Sequence, residues 1–283
     1  MMSHGLPPLI SVIVAVFNGA ETLQQCIDSV ARQTYPNKEL IIIDGGSKDG
    51  TVDLLEANHE QINYWISEPD RGIYNAWNKG LVQAHGEWIC FLGADDYFWD
   101  TQVLERLAGQ LEKLPPDIRV AYAQIMIVDT GGTSLYQLGE PWEKIKGRFS
   151  QVMCIPHPGV MHRRSLFEQH GQFDESFHIA GDYELLLREL KAAAAFFISG
   201  IIATAMRQGG ISSTPANSLV QLREVRRAQR MHGQCLPSRF WLMAMVRVRI
   251  RLLLWSVLGE RMARKALDLG RRMMGLPPFW TKT

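Results

Sequence analysis

Glu39-Leu-Ile-Ile-Ile-Asp-Gly-Gly-Ser-Lys-Asp-Gly-Thr51 joins a continuous apolar, β-branched run to a helical pattern through a turn of glycines and small polar residues. A run without polar alternation is a strand buried on both faces, and such strands belong to parallel sheets covered by helices. The same unit repeats outward. Before it stand a strand at Leu9 to Phe17 and a helix at Glu21 to Gln33; after it come a helix Thr51 to Asn58, a strand Ile62 to Ser67, a helix Ile73 to Ala84 and a strand Glu87 to Leu92. This βαβ rhythm predicts an α/β fold, a Rossmann-like, mainly parallel mixed sheet flanked by helices, with ligands gathered at the carboxyl ends of the strands.

The 283 residues are 46% apolar, enough for one large α/β domain and an appendage without disulfides or a structural metal. Charge is divided unevenly. Residues 1–222 hold 16 Lys plus Arg against 26 Asp plus Glu, whereas residues 223–283 hold 14 against 3. An acidic body with a basic tail predicts a body that handles its own ligand and a tail that meets a polyanionic surface. The tail's arginines are interleaved with long apolar runs, so that surface reads as an anionic membrane, with a helical subdomain that caps the acidic body as the alternative, and no nucleic acid is expected.

Cys26, Cys90, Cys154 and Cys235 lie far apart with no C-x-x-C pair, which excludes a zinc ribbon and a thioredoxin-like motif and suits a reducing, cytoplasmic setting. Cys90, inside Trp88-Ile-Cys-Phe-Leu92, reads as a buried structural thiol. Leu9 to Phe17 has no Lys or Arg upstream and is read as a strand, not an export signal. Phe240 to Leu258 is cut by Arg247, Arg249 and Arg251 and does not span a bilayer.

Further along, the pattern predicts a helix from Asp100 to about Lys113, strands at Val120 to Val128 and Ala194 to Met206, a turn at Gly171-Gln-Phe-Asp-Glu175 and a short helix Asp182 to Lys191. Residues 131–158 carry no clear period. From Asn217 the chain is helical and basic, with a break at Gly233 to Ser238. There is no internal repeat and no low-complexity tract.

Four clusters fall where this architecture places a ligand. Asp44-Gly-Gly-Ser-Lys-Asp-Gly-Thr51 has neither dinucleotide-fingerprint nor P-loop spacing, and a capped tight turn is its plain alternative. Gly93-Ala-Asp-Asp96 ends a strongly apolar strand; paired carboxylates there are explained by a Mg²⁺ or Mn²⁺ ion with oxygen ligands, metal ligands Asp95 and Asp96, or by helix capping. Glu68-Pro-Asp-Arg-Gly72 precedes a helix whose stripe Ile73, Ala76, Trp77, Gly80, Leu81 and Ala84 is core, while Asn75, Asn78 and Lys79 form a polar face and the free N–H groups near Asp70 offer an anion site. Asp182 opens its helix without the Glu or Gln of a capping box.

With these residues in this order the chain resembles the inverting glycosyltransferase family 2, whose members share the GT-A fold. The resemblance runs from about residue 9 to 213 and rests on Asp44 to Thr51, Asp70-Arg-Gly72 with Asn78-Lys-Gly80, Gly86 to Asp96, Gly171 to Glu175 and Gly181-Asp182. It implies a nucleotide-sugar donor, UDP-linked by default. Val16, Asn18 and Asp44 would flank the nucleobase; Asp70, Arg71 and the polar face with Asn75 and Lys79 would approach nucleoside and diphosphate; Asp95 would hold the metal and Asp182 would be the base. Gly93 stands where many relatives place a carboxylate or Asn. The Q-x-x-R-W signature of processive members is absent, Arg207-Gln-Gly-Gly-Ile-Ser212 standing there instead, which predicts one sugar per encounter. Arg207 is a further donor-side candidate, with a plain surface arginine as the alternative. His157 and His162 are candidates for the acceptor side, or ordinary packed histidines.

The sequence therefore predicts a GT-A catalytic domain over residues 1–216 and a basic amphipathic tail over 217–283. The expected activity is metal-dependent inverting transfer of one sugar to a saccharide or lipid-linked saccharide acceptor in polysaccharide biosynthesis. The expected place is the cytoplasmic, inner face of the membrane, bound peripherally. A catalytically silent membrane-surface scaffold and a sugar nucleotidyltransferase are the rival readings.

Overall fold

The computed structural model describes residues 7–210, 215–273 and 275. The chain opens with β1 (Ile10–Val16), α1 (Leu23–Ala31), β2 (Lys38–Asp44), α2 (Thr51–Ala57), β3 (Tyr64–Ser67), α3 (Ile73–Gln83) and β4 (Trp88–Gly93), which is the predicted alternation. These strands lie in the order β3-β2-β1-β4 and all pair in parallel, Val16 beside Asp44 and Ala15 beside Gly93. The order reverses at β1. A crevice therefore opens beyond the carboxyl ends of β1 and β4, at the topological switch point.

The second half of the sheet is mixed. It is built from β5 (Tyr97–Phe98), α4 (Val103–Leu111), β6 (Val120–Val128), β7 (Ser134–Leu138), α5 (Trp142–Phe149), β8 (Val160–Arg163), α6 (Arg164–His170), α7 (Gly181–Leu190) and β9 (Phe196–Arg207). Strand β8 runs antiparallel to both β4 and β6, whereas β6 and β9 are parallel. β5, β7, α5, β8 and α6 were not anticipated. Each is short; β7 is exposed at every residue and so carries no burial period, while α5 buries Trp142, Ile145 and Phe149 at helical spacing over only two turns.

Apolar cores lie on both faces of the sheet. Val12, Val14, Leu40 and Ile42 pack toward α1 and α4, while Ile13, Ile41, Ile43 and Phe91 pack toward α3 and α7. Adjacent residues of one strand thus serve opposite cores, which is why these strands read as unbroken apolar runs. Cys90 is buried, and burial pushes its thiol up to about 12, so it is a structural thiol as expected.

The tail forms α8 (Pro215–Met231) and α9 (Arg239–Met273), separated at the predicted break. α8 packs between α7 and α9. α9 bends at Gly259, whose left-handed φ of 69° interrupts the helical path. Leu242, Val246, Ile250, Leu253 and Val257 are exposed along one stripe, with exposed Arg247 and Arg249 on its two margins. Beyond the bend Met262, Leu269 and Met273 are exposed and Ala266 is half-buried; Met274 lies outside the described residues. Arg251 turns inward and donates to Ser218 Oγ. No helix among the described residues is long and apolar enough to cross a membrane.

Ile42 is fully buried in the central β2. Truncating it to Ala removes three carbons where the sheet cannot collapse, so Ile42→Ala should lower unfolding free energy by about 2–5 kcal/mol in a urea titration with little change in slope.

Candidate active site

The crevice at the switch point holds a cleft of about 530 Å³, lined by Val16, Phe17 and Asn18 after β1, Asp70 and Ile73 before and in α3, and Ala94 and Asp95 after β4. A second, smaller cavity of about 160 Å³ adjoins it. Its walls include Tyr74, Trp77, Asp95, His157, Asp182 and Arg207. Asp95 and Ile73 line both spaces, so the two are parts of one site with the Asp95 carboxylate at the junction.

The loop between β1 and α1 takes its shape from the loop after β2. Asn18 holds a left-handed φ of 50°, which Asn tolerates better than most residues. Its Oδ1 accepts the Lys48 N–H at 3.0 Å, and the N–H groups of Asn18, Gly19 and Ala20 donate to Ser47 Oγ, Thr51 Oγ1 and Asp49 Oδ2 at 2.6–3.0 Å. Asn18 thus borders the cleft with its side-chain oxygen already engaged.

Asp44, expected at the nucleobase, stands back from the residues that line the cleft. It is fully buried, and its carboxylate accepts from the Gly46 and Ser47 amides, 3.1 and 2.9 Å, and from Ser67 Oγ at 2.6 Å, besides Ser47 Oγ. Those donors tie the carboxylate to its own loop and to β3. Asp70, by contrast, lines the cleft. A Cβ on residue 45 would stand 2.6 Å from Asp70 Oδ2, so Gly45 is what leaves Asp70 its position. Asp70 Oδ1 accepts the Gly72 N–H at 2.8 Å, and the anion site expected at the start of α3 is thereby occupied by the protein's own carboxylate.

The polar face of α3 is also engaged elsewhere. Glu175 accepts from Asn75 at 2.9 Å, from Asn78 at 3.0 Å and from Arg71, whose guanidinium is otherwise exposed. These contacts hold the Glu175 carboxyl below its ordinary range, Asn78 contributing most. Lys79 donates to Pro69 O at 3.1 Å and pairs with Glu68 at 2.8 Å, bracing the turn before α3. Asn75 and Lys79 therefore fasten α3 to the 171–175 turn and to the 67–70 turn, not to the cleft, and Arg71 stands on the rim.

At the end of β4 the two carboxylates divide. Asp96 is 5% exposed and accepts the Gly93 and Arg207 amides, both at 3.3 Å, which makes it a brace between β4 and β9. Burial, then the neighbouring Asp95, pushes its carboxyl well above the ordinary range. Asp96, expected as a second metal ligand, thus braces β4 to β9 and also lines the smaller cavity beside Asp95. Asp95 is half-buried and faces the cleft. Among the described residues no group of three or more His, Cys, Asp or Glu gathers to cage a metal ion. A single open carboxylate fits an ion that completes its shell with waters and a ligand's phosphate oxygens.

Arg207 lines the small cavity, but its guanidinium donates to Thr130 O at 2.6 Å and to Gln25, 5.8 Å from the Tyr97 ring centre. His162 does not reach the cavity. It is fully buried in β8 with Nδ1 3.3 Å from Ile89 O, and burial pushes it well below the ordinary imidazole range. His157 does line the cavity, stacked 5.1 Å from Trp77 and kept neutral, its pKa pushed down to about 3 by burial. Trp77 Nε1 and His157 Nε2 are buried without a hydrogen-bond partner, leaving two polar atoms in the cavity's lining residues for an incoming hydroxyl.

Asp182 stands in the first turn of α7. Its Oδ1 accepts the Tyr183 N–H at 2.8 Å and the Tyr74 hydroxyl at 3.3 Å. A Cβ on Gly181 would lie 2.8–3.0 Å from the Tyr74 ring, so glycine there lets α7 close onto α3. Burial pushes the Asp182 carboxyl up to about 6, against the lowering effect of those hydrogen bonds. Glu184, two residues on, is paired with Arg188 and His232. Such a carboxyl is ionised at neutral pH yet basic enough to take a proton.

Tyr74, Trp77, Phe17 and Glu175 are site residues that sequence reading left out. Phe17 is 66% exposed at the cleft mouth, and a large aromatic that a strand end leaves uncovered was the available signal. Tyr74 and Trp77 looked like plain core, and only the approach of α7 gives them a cavity to line.

The profile of glycosyl transferase family 2 matches residues 11–171, more than half of the chain. A PGL/p-HBAD biosynthesis glycosyltransferase of Mycobacterium bovis (strain BCG / Pasteur 1173P2) is 29% identical over 213 residues, covering 73% of this chain and 80% of its own. An uncharacterised glycosyltransferase of Rickettsia typhi is 29% identical over 205 residues, covering 70% of this chain and 63% of its own. Among solved structures, S. aureus TarS 1-349 in complex with UDP-GlcNAc superposes with a TM-score of 0.61 at 19% identity, over 78% of this chain and 66% of that one. The mannosyltransferase PcManGT from Pyrobaculum calidifontis, in complex with GDP-Man and Mn²⁺, gives 0.60 at 17%, over 92% and 74%. These likenesses show the GT-A fold. The matched region carries β1 to β4, whose ends build the cleft, and the chain is a glycosyltransferase belonging to family 2.

Proposed function

We propose that the chain moves one sugar, with inversion, from a nucleoside-diphosphate sugar to a saccharide or lipid-linked saccharide acceptor in polysaccharide biosynthesis. The observation that carries this reading is the junction: one open carboxylate, Asp95, between a cleft sized for a nucleotide and a cavity walled by a carboxylate, Asp182, pushed up to about 6. The nucleoside lies along Val16, Asn18 and Asp70, with Phe17 offering a face for the base. UDP is the default donor nucleotide; the solved relatives bound to UDP-GlcNAc and to GDP-Man support a nucleotide-sugar donor without choosing between them.

The sugar occupies the small cavity against Tyr74, Trp77 and His157. An acceptor hydroxyl oxygen forms a bond to the anomeric carbon as the bond from that carbon to the diphosphate oxygen breaks, and Asp182 takes the hydroxyl proton. The nucleoside diphosphate leaves with the electron pair, and no covalent enzyme intermediate forms. Asp95 is the residue that would hold a divalent ion, Mg²⁺ or Mn²⁺, together with the donor's phosphates. When bound, such an ion neutralises the charge that develops on the departing diphosphate.

Residues 1–216 act as the catalytic domain and 217–283 as its helical extension. Within the extension, α9 rests on an anionic membrane. Its apolar stripe is margined by Arg247 and Arg249, the arrangement of a helix lying in the interfacial plane with its cations toward the headgroups. The protein is then peripheral on the inner face of the membrane, where lipid-linked acceptors are presented.

Asp182→Asn should keep donor affinity, since volume and cleft are unchanged, yet lower kcat by roughly two to four orders of magnitude. Turnover within tenfold of native would show that another group is the base. Calorimetry of UDP binding with and without Mn²⁺ should show tighter binding with the ion in the native protein and no such gain in Asp95→Ala; a gain that survives the substitution removes Asp95 from the metal site. Sedimentation with phosphatidylglycerol liposomes should pull down the native chain and lose it at least tenfold, to a first approximation, for the Val246→Glu/Leu253→Glu double variant, with binding weakened by salt. Equal binding by both proteins would place the membrane contact elsewhere or nowhere.

A further inference from the structure

Glu224 belongs to α8, outside the region that matches the family, and its side chain is 8% exposed. Its Oε1 accepts the His178 N–H at 2.8 Å, and its Oε2 accepts those of Ile179 and Ala180 at 2.8 and 3.0 Å. Three consecutive amides thus converge on one carboxylate. They belong to the segment that leads into α7, and Ala180, the residue capping that helix, has no side chain with which to do so. A distant helix therefore supplies the acceptor that the local sequence lacks, at the positive end of α7's dipole, two residues before Asp182.

The rest of α8 holds the same segment. Arg227 donates to Ser176 O at 3.2 Å and lies 4.2 Å over the Phe177 ring, while His232, just past α8, meets Glu184 of α7 at 2.9 Å. α8 grips residues 174–184 at both ends, and Glu224 is the contact nearest the base.

We infer that Glu224 is a positioning residue for Asp182, holding the 178–180 amides so that the first turn of α7 sets the carboxylate against Tyr74, and standing behind it as a buried negative charge. This rests on the reading of Asp182 as the base. The first helix of the basic tail is then part of the catalytic apparatus. Asp182 is faced by the Tyr74 hydroxyl from α3, by Glu224 from α8, by His178 from the loop before α7, by neutral His157, and across the cavity by Asp95, Asp96 and Arg207. Among the groups of that circle, Glu224 adds a negative charge that disfavours ionisation of Asp182.

The test uses the full chain as native protein, Glu224→Gln, Glu224→Ala and Asp182→Asn. Release of UDP from the UDP-sugar that gives turnover is followed against pH, and UDP affinity is measured separately by calorimetry. Glu224→Gln keeps the shape, loses the charge and, because its NH2 group cannot accept, loses the acceptor for at least one of the three amides, so the acidic limb of its kcat profile should move to lower pH while kcat on the plateau falls less than in Glu224→Ala. Glu224→Ala also loses the acceptor for three amides, and its plateau kcat should fall about 10- to 100-fold with UDP affinity within twofold. An acidic limb that stays in place in Glu224→Gln overturns the inference, as does native kcat in Glu224→Ala. If Glu224→Ala does not fold, the isosteric Gln variant decides alone. Asp182→Asn separates the two readings: an inactive Asp182→Asn beside unaltered Glu224 variants refutes only the role of Glu224, whereas an active Asp182→Asn refutes the base itself.

Discussion

A carboxylate taken out of water must find donors, and in this protein the donors are largely the backbone amides of the loops that make the site. Asp44 gathers the amides of residues 46 and 47, Asp96 those of 93 and 207, and Glu224 those of 178 to 180. Glu175 does the same work through side chains, drawing Asn75 and Asn78 of α3 onto the turn before α7. Removing Asp44, Asp96 or Glu224 would leave backbone amides without their acceptor, so these braces are costlier to break than surface ion pairs of the Arg32–Asp28 kind. The loops at the carboxyl ends of the strands are tied down by these bonds.

What the braces leave over is the chemistry. Of the acidic residues around the crevice, Asp70, Asp95, Asp96 and Asp182 line open space, and Asp96 does so while also bracing β4 to β9. Asp95 keeps access to the cleft because its neighbour Asp96 has taken the structural task. Asp182 keeps one edge toward the cavity while its other contacts orient it. Its raised carboxyl follows from burial, and the Tyr74 hydroxyl and the Tyr183 amide limit the rise, so that the group remains ionised at neutral pH. A base that is both ionised and poorly solvated is well matched to a sugar hydroxyl.

The two-part charge distribution has a structural counterpart. The basic residues of the tail divide between two helices with different surroundings. α8 uses arginine and glutamate inward, against residues 174 to 184. α9 leaves Arg247 and Arg249 outward on either side of an apolar stripe. Because α8 contacts both α7 and α9, the helix that carries the exposed apolar stripe is joined through one intermediary to the helix that carries Asp182.

Strand and helix periods, turn glycines and the order of the motifs are local properties, and they were legible in residues 9–92 and in the family likeness they carry. The strands came out parallel, Asp95 faced the cleft, and Asp182 opened its helix, because burial on both faces and short βα turns admit little else. The employment of each polar side chain was not legible. Whether Asp44 or Asp70 reaches the cleft depends on Gly45 and Ser67; whether Arg71 and Asn75 are free depends on Glu175, a hundred residues away; whether α7 is capped depends on Glu224 in the tail. Hydrogen-bond partners are assigned by three-dimensional neighbourhood, and a carboxylate that serves as a brace is indistinguishable in sequence from one that serves a substrate. Local pattern determined the scaffold and the candidates; tertiary packing chose among them, because a buried polar group goes to whichever partner the fold brings within about 3 Å.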